Sequence, residues 1–322
     1  MKNIILKKLL YIVLMLFIIS VISFIAIHLA PNSFFSAGEL NPNITKESLE
    51  HLKKIYGLDK PLWEQYISWI WAMLHFDFGI SFASGKSVTS EIMDRIGITL
   101  GINLTSMVIV FLLSLYVGIK SAIKQDSFFD RLIKQLSLIS FSMPSFYLAL
   151  LLIIIFAVNL KLFPISGLYS LEPKEGIFRF FDLVWHLVLP LAVIVFVSFG
   201  SFAMYIRSLT LEILKSDYIF FAKARGADEN TIIKKFVLPN LSPPLITILG
   251  LSLPGLIGGS VILESIFSIN GMGLLFYQAA LARDYPVIMG ILIITAFLTL
   301  LGNVIADLIL LKLNPFFKNE RG

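Results

Sequence analysis

Six stretches of this chain carry no Asp, Glu, Lys or Arg and are long enough to cross hydrocarbon: Leu9 to Gly38, Ile96 to Ile119, Gln135 to Leu160, Leu183 to Ile206, Phe236 to Leu263 and Tyr285 to Ala306. A helix needs about 20 apolar residues to span the bilayer core. Only a helix or a closed barrel satisfies its own backbone N–H and C=O groups there, and runs of this length read as helices. Composition agrees, with 57% hydrophobic residues, 15% charged residues and a mean hydropathy of +0.87, values outside the range of soluble domains. The expected fold is therefore an all-α membrane protein of six transmembrane helices. The first window, with Lys2, Lys7 and Lys8 ahead of it, has the basic start of a signal peptide. Its apolar run exceeds the ~7–15 residues of a signal core, so it reads as a retained first helix.

The net charge of +5 is a topology signal before it is a nucleic-acid signal. With a cytoplasmic N-terminus, the inner segments hold 16 of the 26 Lys and Arg residues, and in the longer outer segments acids outnumber bases. The positive-inside rule then puts both termini in the cytoplasm. The resulting division is residues 1–38, tail and first helix; 39–95, a sizeable extracytoplasmic segment; 96–315, a five-helix core with a cytoplasmic loop at 207–240; and 316–322, a cytoplasmic tail. Within the outer segment, the uncharged run Gln65 to Phe76 is too short to span. Trp63, Tyr66, Trp69 and Trp71 suit a helix at the lipid headgroups, with a packed cap over the spans or a docking surface for an extracytoplasmic partner as the alternatives.

Several chemistries are excluded. There is no cysteine, which removes disulfides, thiolate metal sites and cysteine nucleophiles. His28, His51, His75 and His186 form no close ligand pair, so neither a metal nor a cofactor is expected. "GISFASGKS", Gly79 to Ser87, imitates a phosphate-binding loop, but five residues instead of four separate Gly79 from Gly85 and no strand precedes it. An ATP-driven function would need its motor on another polypeptide. No His/Asp/Glu or Ser/His set converges inside the windows, as a membrane-embedded enzyme would need. The scarcity of midspan charge also argues against a proton- or sodium-coupled carrier.

The chemistry that remains is concentrated in "FFAKARGADENTIIKKFVLPN", residues 220–240. Ser216 or Asp217 can start a short helix, Gly226 can end it, Asp228 can cap a second helix through Lys235, and Pro239 marks the exit. Small Ala222 and Ala224 allow another surface to approach. The fifth window is rich in glycine and proline: Pro243, Pro244, Gly250, Pro254, Gly255, Gly258 and Gly259.

Ala222, Gly226, Leu238 and Pro239 resemble the "EAA" loop of binding-protein-dependent ABC importer permeases, with Phe220, Phe221 and Phe236 departing from the pattern. "YGLDKPLWEQYISWI", "FDFGISF", "SMPSFYLALLL", "LPGLIGGSVILESIF", "NGMGLLFYQAALARDYPVIMG" and "NVIADLILLKLNP" resemble the B-type subunit of the dipeptide, oligopeptide and nickel branch. Asn270-Gly271 stands where Pro-Gly is frequent, and Phe316 where an arginine is usual. The resemblance implies a non-enzymatic subunit in the bacterial cell membrane. It would pair with a second, related permease, two cytoplasmic ATPases and an extracytoplasmic binding protein, and would touch lipid but no nucleic acid. Asp217, Ala222, Ala224, Arg225, Gly226, Leu238 and Pro239 would couple to an ATPase, and Pro254, Gly255, Gly258 and Gly259 would line the pathway. Short peptides are the expected solute, with nickel or a chelate as the alternative.

Overall fold

The computed structural model describes residues 2–29, 59–172, 174–252 and 259–313. Among these the chain is helical: α1 (Lys2–Leu29), α2 (Leu62–Leu74), α3 (Val88–Ile123), α4 (Phe128–Ser142), α5 (Ser145–Leu152), α6 (Gly176–Leu214), α7 (Asp217–Ala224), α8 (Glu229–Ile232), α9 (Leu238–Ser252), α10 (Val261–Ile266), α11 (Met272–Ala282) and α12 (Tyr285–Leu313). Two wider π turns, Ile153–Asn159 and Ile233–Val237, continue α5 and join α8 to α9. Five segments are long and apolar enough to cross a membrane: Leu6–Ala26, Val88–Ile123, Gly176–Leu214, Glu229–Gly250 and Tyr285–Ile305.

The third apolar window is the exception. The sequence reads as one straight helix, but Phe128–Ser142 and Ser145–Asn159 meet at a 104° bend. Pro144 has no N–H to donate, and it forces Met143 into an extended conformation (φ −88°, ψ 121°). The pair counts as a sixth span only if the bent halves are taken together.

The chain divides into two compact units. One contains the described residues up to Thr99 and Asn270–Leu301. There α2 packs on α1 through a hydrogen bond between Tyr66 Oη and Ser20 Oγ (2.8 Å), and Phe24 meets the edge of the Tyr66 ring at 5.2 Å. Trp63, Ile67, Trp71 and Leu74 stay exposed on α2, the amphipathic pattern expected of an interfacial helix. Gly290 of α12 lies against Val88, where an added Cβ would come within 2.8 Å of the valine side chain.

In the same unit, the Gly79–Ser87 loop proves to be an anion cradle occupied from within. Asp284 accepts hydrogen bonds from Ser81 Oγ (2.5 Å) and from the backbone amides of Phe82 (3.1 Å) and Ala83 (3.0 Å). The glycine-rich geometry that imitates a phosphate site does bind a negative group, the chain's own carboxylate.

The second unit contains Leu100 onward through α9, Ile262–Ile269 and the last part of α12. Its helices approach through small residues, the usual device where lipid removes the hydrophobic drive between helices. A Cβ on Gly200 of α6 would lie 2.5 Å from the Ser137 carbonyl oxygen of α4, and one on Gly118 of α3 would lie 2.9 Å from that of Ala203. Ser140 Oγ bridges the same contact, donating to Phe196 O (2.5 Å) and accepting from Gly200 N (3.0 Å).

Candidate functional site

The charged stretch 216–240 folds as a closed elbow in the second unit. Ser216, at φ −72° and ψ 150°, occupies the N-cap position of α7, so Asp217 becomes the first helical residue and lies exposed. Gly226 sits at φ +87°, a left-handed conformation that L side chains rarely adopt. This lets Gly226 N donate to Lys223 O (2.9 Å) and Ala227 N to Ala222 O (3.1 Å). These two bonds are the pair of a Schellman motif, which satisfies the last carbonyls of α7 and turns the chain sharply.

Asp228 then caps α8, accepting from Thr231 N at 3.1 Å. Its carboxyl is held below the usual carboxylate range by hydrogen bonding from Thr231, first from the side chain and then from the backbone. Sequence reasoning placed a helix through Lys235 and an exit at Pro239. The structure instead carries a helical path without interruption from Glu229 to Ser252. The π turn explains how Pro239 is tolerated. Leu238 N donates to Ile233 O, five residues back, so the register has already shifted where the proline lacks its N–H. Asn240 Nδ2 donates to Phe236 O (2.7 Å), and Ser242 Oγ donates to Pro239 O (2.8 Å), the carbonyl that Pro243 cannot serve.

The elbow has two faces. Inward, Ile219, Ile232, Val237, Leu241 and Leu245 form a buried cluster with Ile119 of α3 and Ile206 of α6. Outward, Phe220 and Phe221 are 69% and 61% exposed, and Lys223, Ala224, Arg225 and Gly226 are exposed beside them. Ala222 is half-buried, whereas Leu238 and Pro239 lie exposed at the start of α9. Tyr218 stacks on Phe236, with centroids 6.3 Å apart. The geometry thus brings Ala222, Ala224, Arg225 and Gly226 together at the bend. Asp217 and the Leu238-Pro239 pair stand at its two ends. Pro254, Gly255 and Gly258 lie outside the described residues; Gly259 has φ +63°.

Sequence reasoning missed the clamp behind this elbow. Arg207, near the end of α6, meets Asp130 of α4 with two parallel bonds, Nε to Oδ1 at 2.6 Å and Nη2 to Oδ2 at 2.8 Å. Lys134 approaches the same carboxylate at 2.9 Å, Ser121 of α3 donates to it, and Asp126 N donates at 2.9 Å. Asp130 is fully buried. The only sequence signal was one acid and one base among the charges that flank separate apolar windows.

Among the described residues, no group of three His, Asp or Glu side chains is placed to hold a metal ion. The stretch 216–240 is an exposed turn between the end of α6 and the start of α9, with a buried apolar face against α3 and α6.

Residues 111–319 match the family described as binding-protein-dependent transport system inner membrane component, and residues 1–103 match that family's N-terminal part. The oligopeptide transport system permease protein AppB of Bacillus subtilis is 37% identical over 298 residues, covering 92% of this chain and 93% of its own. The dipeptide transport system permease protein DppB of Escherichia coli K12 is 32% identical, covering 94% and 95%. Among solved structures, the MetNI methionine ABC transporter in its inward-facing conformation aligns with a TM-score of 0.53 at 19% identity. That alignment covers 69% of this chain and 96% of that one, a likeness of fold.

Proposed function

We propose, from the premise that this chain belongs to the family of binding-protein-dependent transport system inner membrane components, that it carries short peptides across the bacterial cell membrane. The permease role in an ABC importer follows from the family. The peptide solute is supported by the names of AppB and DppB, which match almost the whole chain; that observation favours peptides over nickel.

In this reading the elbow is the coupling element. The chain pairs with a second, related permease, an extracytoplasmic binding protein delivers the solute, and two cytoplasmic ATPases supply the power stroke. The exposed face of α7, with Phe220, Phe221, Ala224 and Arg225 beside Gly226, seats in a groove on one ATPase, and Asp217, Ala222 and the Leu238-Pro239 pair frame it. The buried face passes the resulting motion to α3, α6 and α9 through Ile219 and Ile232. The Lys and Arg asymmetry supports a cytoplasmic elbow, cytoplasmic termini and an outer position for the segment between α1 and α3.

A strain lacking the gene, supplied with defined di- and oligopeptides as sole source of a required amino acid, tests the substrate. Restored growth is expected with the intact gene and not with the empty vector. Restoration of nickel uptake alone would reassign the solute to the alternative.

A further inference from the structure

Three spans of the second unit turn polar side chains toward one cavity. It has a volume of about 180 Å³ and is lined by Asn103, Ser106, Met107, Val110 and Phe111 of α3, Ile194, Ser198 and Phe202 of α6, and Leu249 and Ser252 of α9. Each contribution follows helical spacing, so one face of each helix points inward. Two of the contributions fall near the middle of their apolar windows, Asn103–Val110 within Ile96–Ile119 and Ile194–Phe202 within Leu183–Ile206, whereas Leu249 and Ser252 close the described end of α9. The cavity therefore lies within the apolar depth of α3 and α6.

Polar side chains at that depth are costly and rarely face lipid; they line interior cavities that hold water or solute. Two of the hydroxyls are already satisfied along their own helices, Ser106 Oγ by Ile102 O and Ser252 Oγ by Ile248 O, both at 2.8 Å. Back-bonded in this way, each still has lone pairs to accept a bond from a passing donor. Ser198 Oγ borders the same space and makes no side-chain hydrogen bond to any described residue.

We infer that this cavity is the wall this chain contributes to the solute pathway, with Asn103, Ser198 and Ser252 as its solute-contacting polar groups. The inference rests on the permease reading above and deepens it by naming residues and chemistry. The lining contains neither a carboxylate nor an imidazole, the oxygen and nitrogen donors that would hold a divalent metal. It offers neutral hydroxyl and amide groups among apolar and aromatic ones, which match the amide groups of a peptide backbone. Weak, neutral contacts of this kind let a solute enter and leave again. A volume of 180 Å³ falls below the ~300–1,000 Å³ of a complete small-molecule site. The second permease therefore supplies the opposite wall.

The absence of native cysteine makes the test direct. Single cysteines replace Ser198, Ser252, the fully buried Val193 and the exposed Asn230 in the assembled transporter, reconstituted with its ATPases and binding protein. A small, charged thiol reagent should modify Ser198→Cys and Ser252→Cys as well as the Asn230→Cys positive control, but not Val193→Cys. Reactivity at the two cavity positions should change between nucleotide-free and ATP-vanadate-trapped states. In the same vesicles, Ser198→Leu with Ser252→Leu should lower dipeptide uptake on the order of tenfold, about 1.4 kcal/mol on the barrier, while ATPase activity persists. Unreactive cavity cysteines, or unchanged uptake by the double Leu variant, would overturn the inference while leaving the permease reading intact. Failure of the unmutated complex to import any peptide would instead overturn the peptide reading, and cysteine reactivity would still decide whether the cavity is watered.

Discussion

Gly226 is the residue on which the elbow turns. An added Cβ would meet nothing within 4 Å, so crowding does not require glycine here; the φ of +87° does. A β-branched residue at such an angle costs roughly 1 kcal/mol or more, whereas asparagine tolerates it. Gly226→Val should leave membrane abundance unchanged and lower uptake strongly by re-aiming α7, while Gly226→Asn should stay near the unmutated protein. Uptake compared at equal abundance reads this; equal uptake in both variants would reduce the elbow to a connecting loop. Asp130 and Arg207 belong to the same scale with the opposite signature. Removing Arg207 leaves the buried Asp130 carboxylate with the half-exposed Lys134 as its remaining cation, at a cost of up to roughly 3–5 kcal/mol, whereas replacing both Arg207 and Asp130 with apolar residues is milder. Arg207→Leu should therefore lower the melting temperature in detergent much more than Arg207→Leu combined with Asp130→Leu.

At the scale of elements, the cap on α8 sets a pH dependence. Asp228 has its carboxyl pKa lowered by Thr231 in the folded elbow. A group with a depressed folded pKa adds stability that is present above its unfolded value and is lost as pH falls through the folded value. Amide exchange at Thr231 and Ile232 should thus stay protected through neutral and mildly acidic pH and open in strong acid. Asp228→Ala should remove that dependence. Most of the helices were legible in the sequence, because lipid leaves an apolar run no other conformation. The windows were too short for α3 and α6, which continue as helix past the hydrocarbon margins to Val88, Ile123, Gly176 and Leu214, where water and protein still permit helix. The break at Pro144 was not legible, because an apolar count is blind to one missing N–H. Pro239 was misread in the opposite sense, since a π turn absorbs what would otherwise end a helix. In the elbow, Gly226 and Asp228 were legible because cap chemistry is local. The Asp130–Arg207 clamp was not, because its partners lie 77 residues apart and no local pattern joins them.

For the whole molecule, the proposed orientation is testable residue by residue. Leu171 and Lys86 are exposed, as is Asn230 in the elbow. Single cysteines at Leu171 and Lys86 should react with an impermeant thiol reagent in intact cells, and one at Asn230 only after lysis; reversed labelling would invert the topology. The Asp284 clasp adds a constraint of a different kind, on synthesis. The loop at Ser81–Ala83 closes on a carboxylate that lies 203 residues further along the chain from Ser81. At roughly 5–20 residues per second, a ribosome takes on the order of 10–40 s to deliver it. Throughout that interval the amides of Phe82 and Ala83 lack their folded-state acceptor, although the first helix has long been inserted. The loop is thus a timestamp on biogenesis: trypsin should cut at Lys86 in nascent chains stalled before Asp284, and the site should gain protection only when the start of the last span emerges.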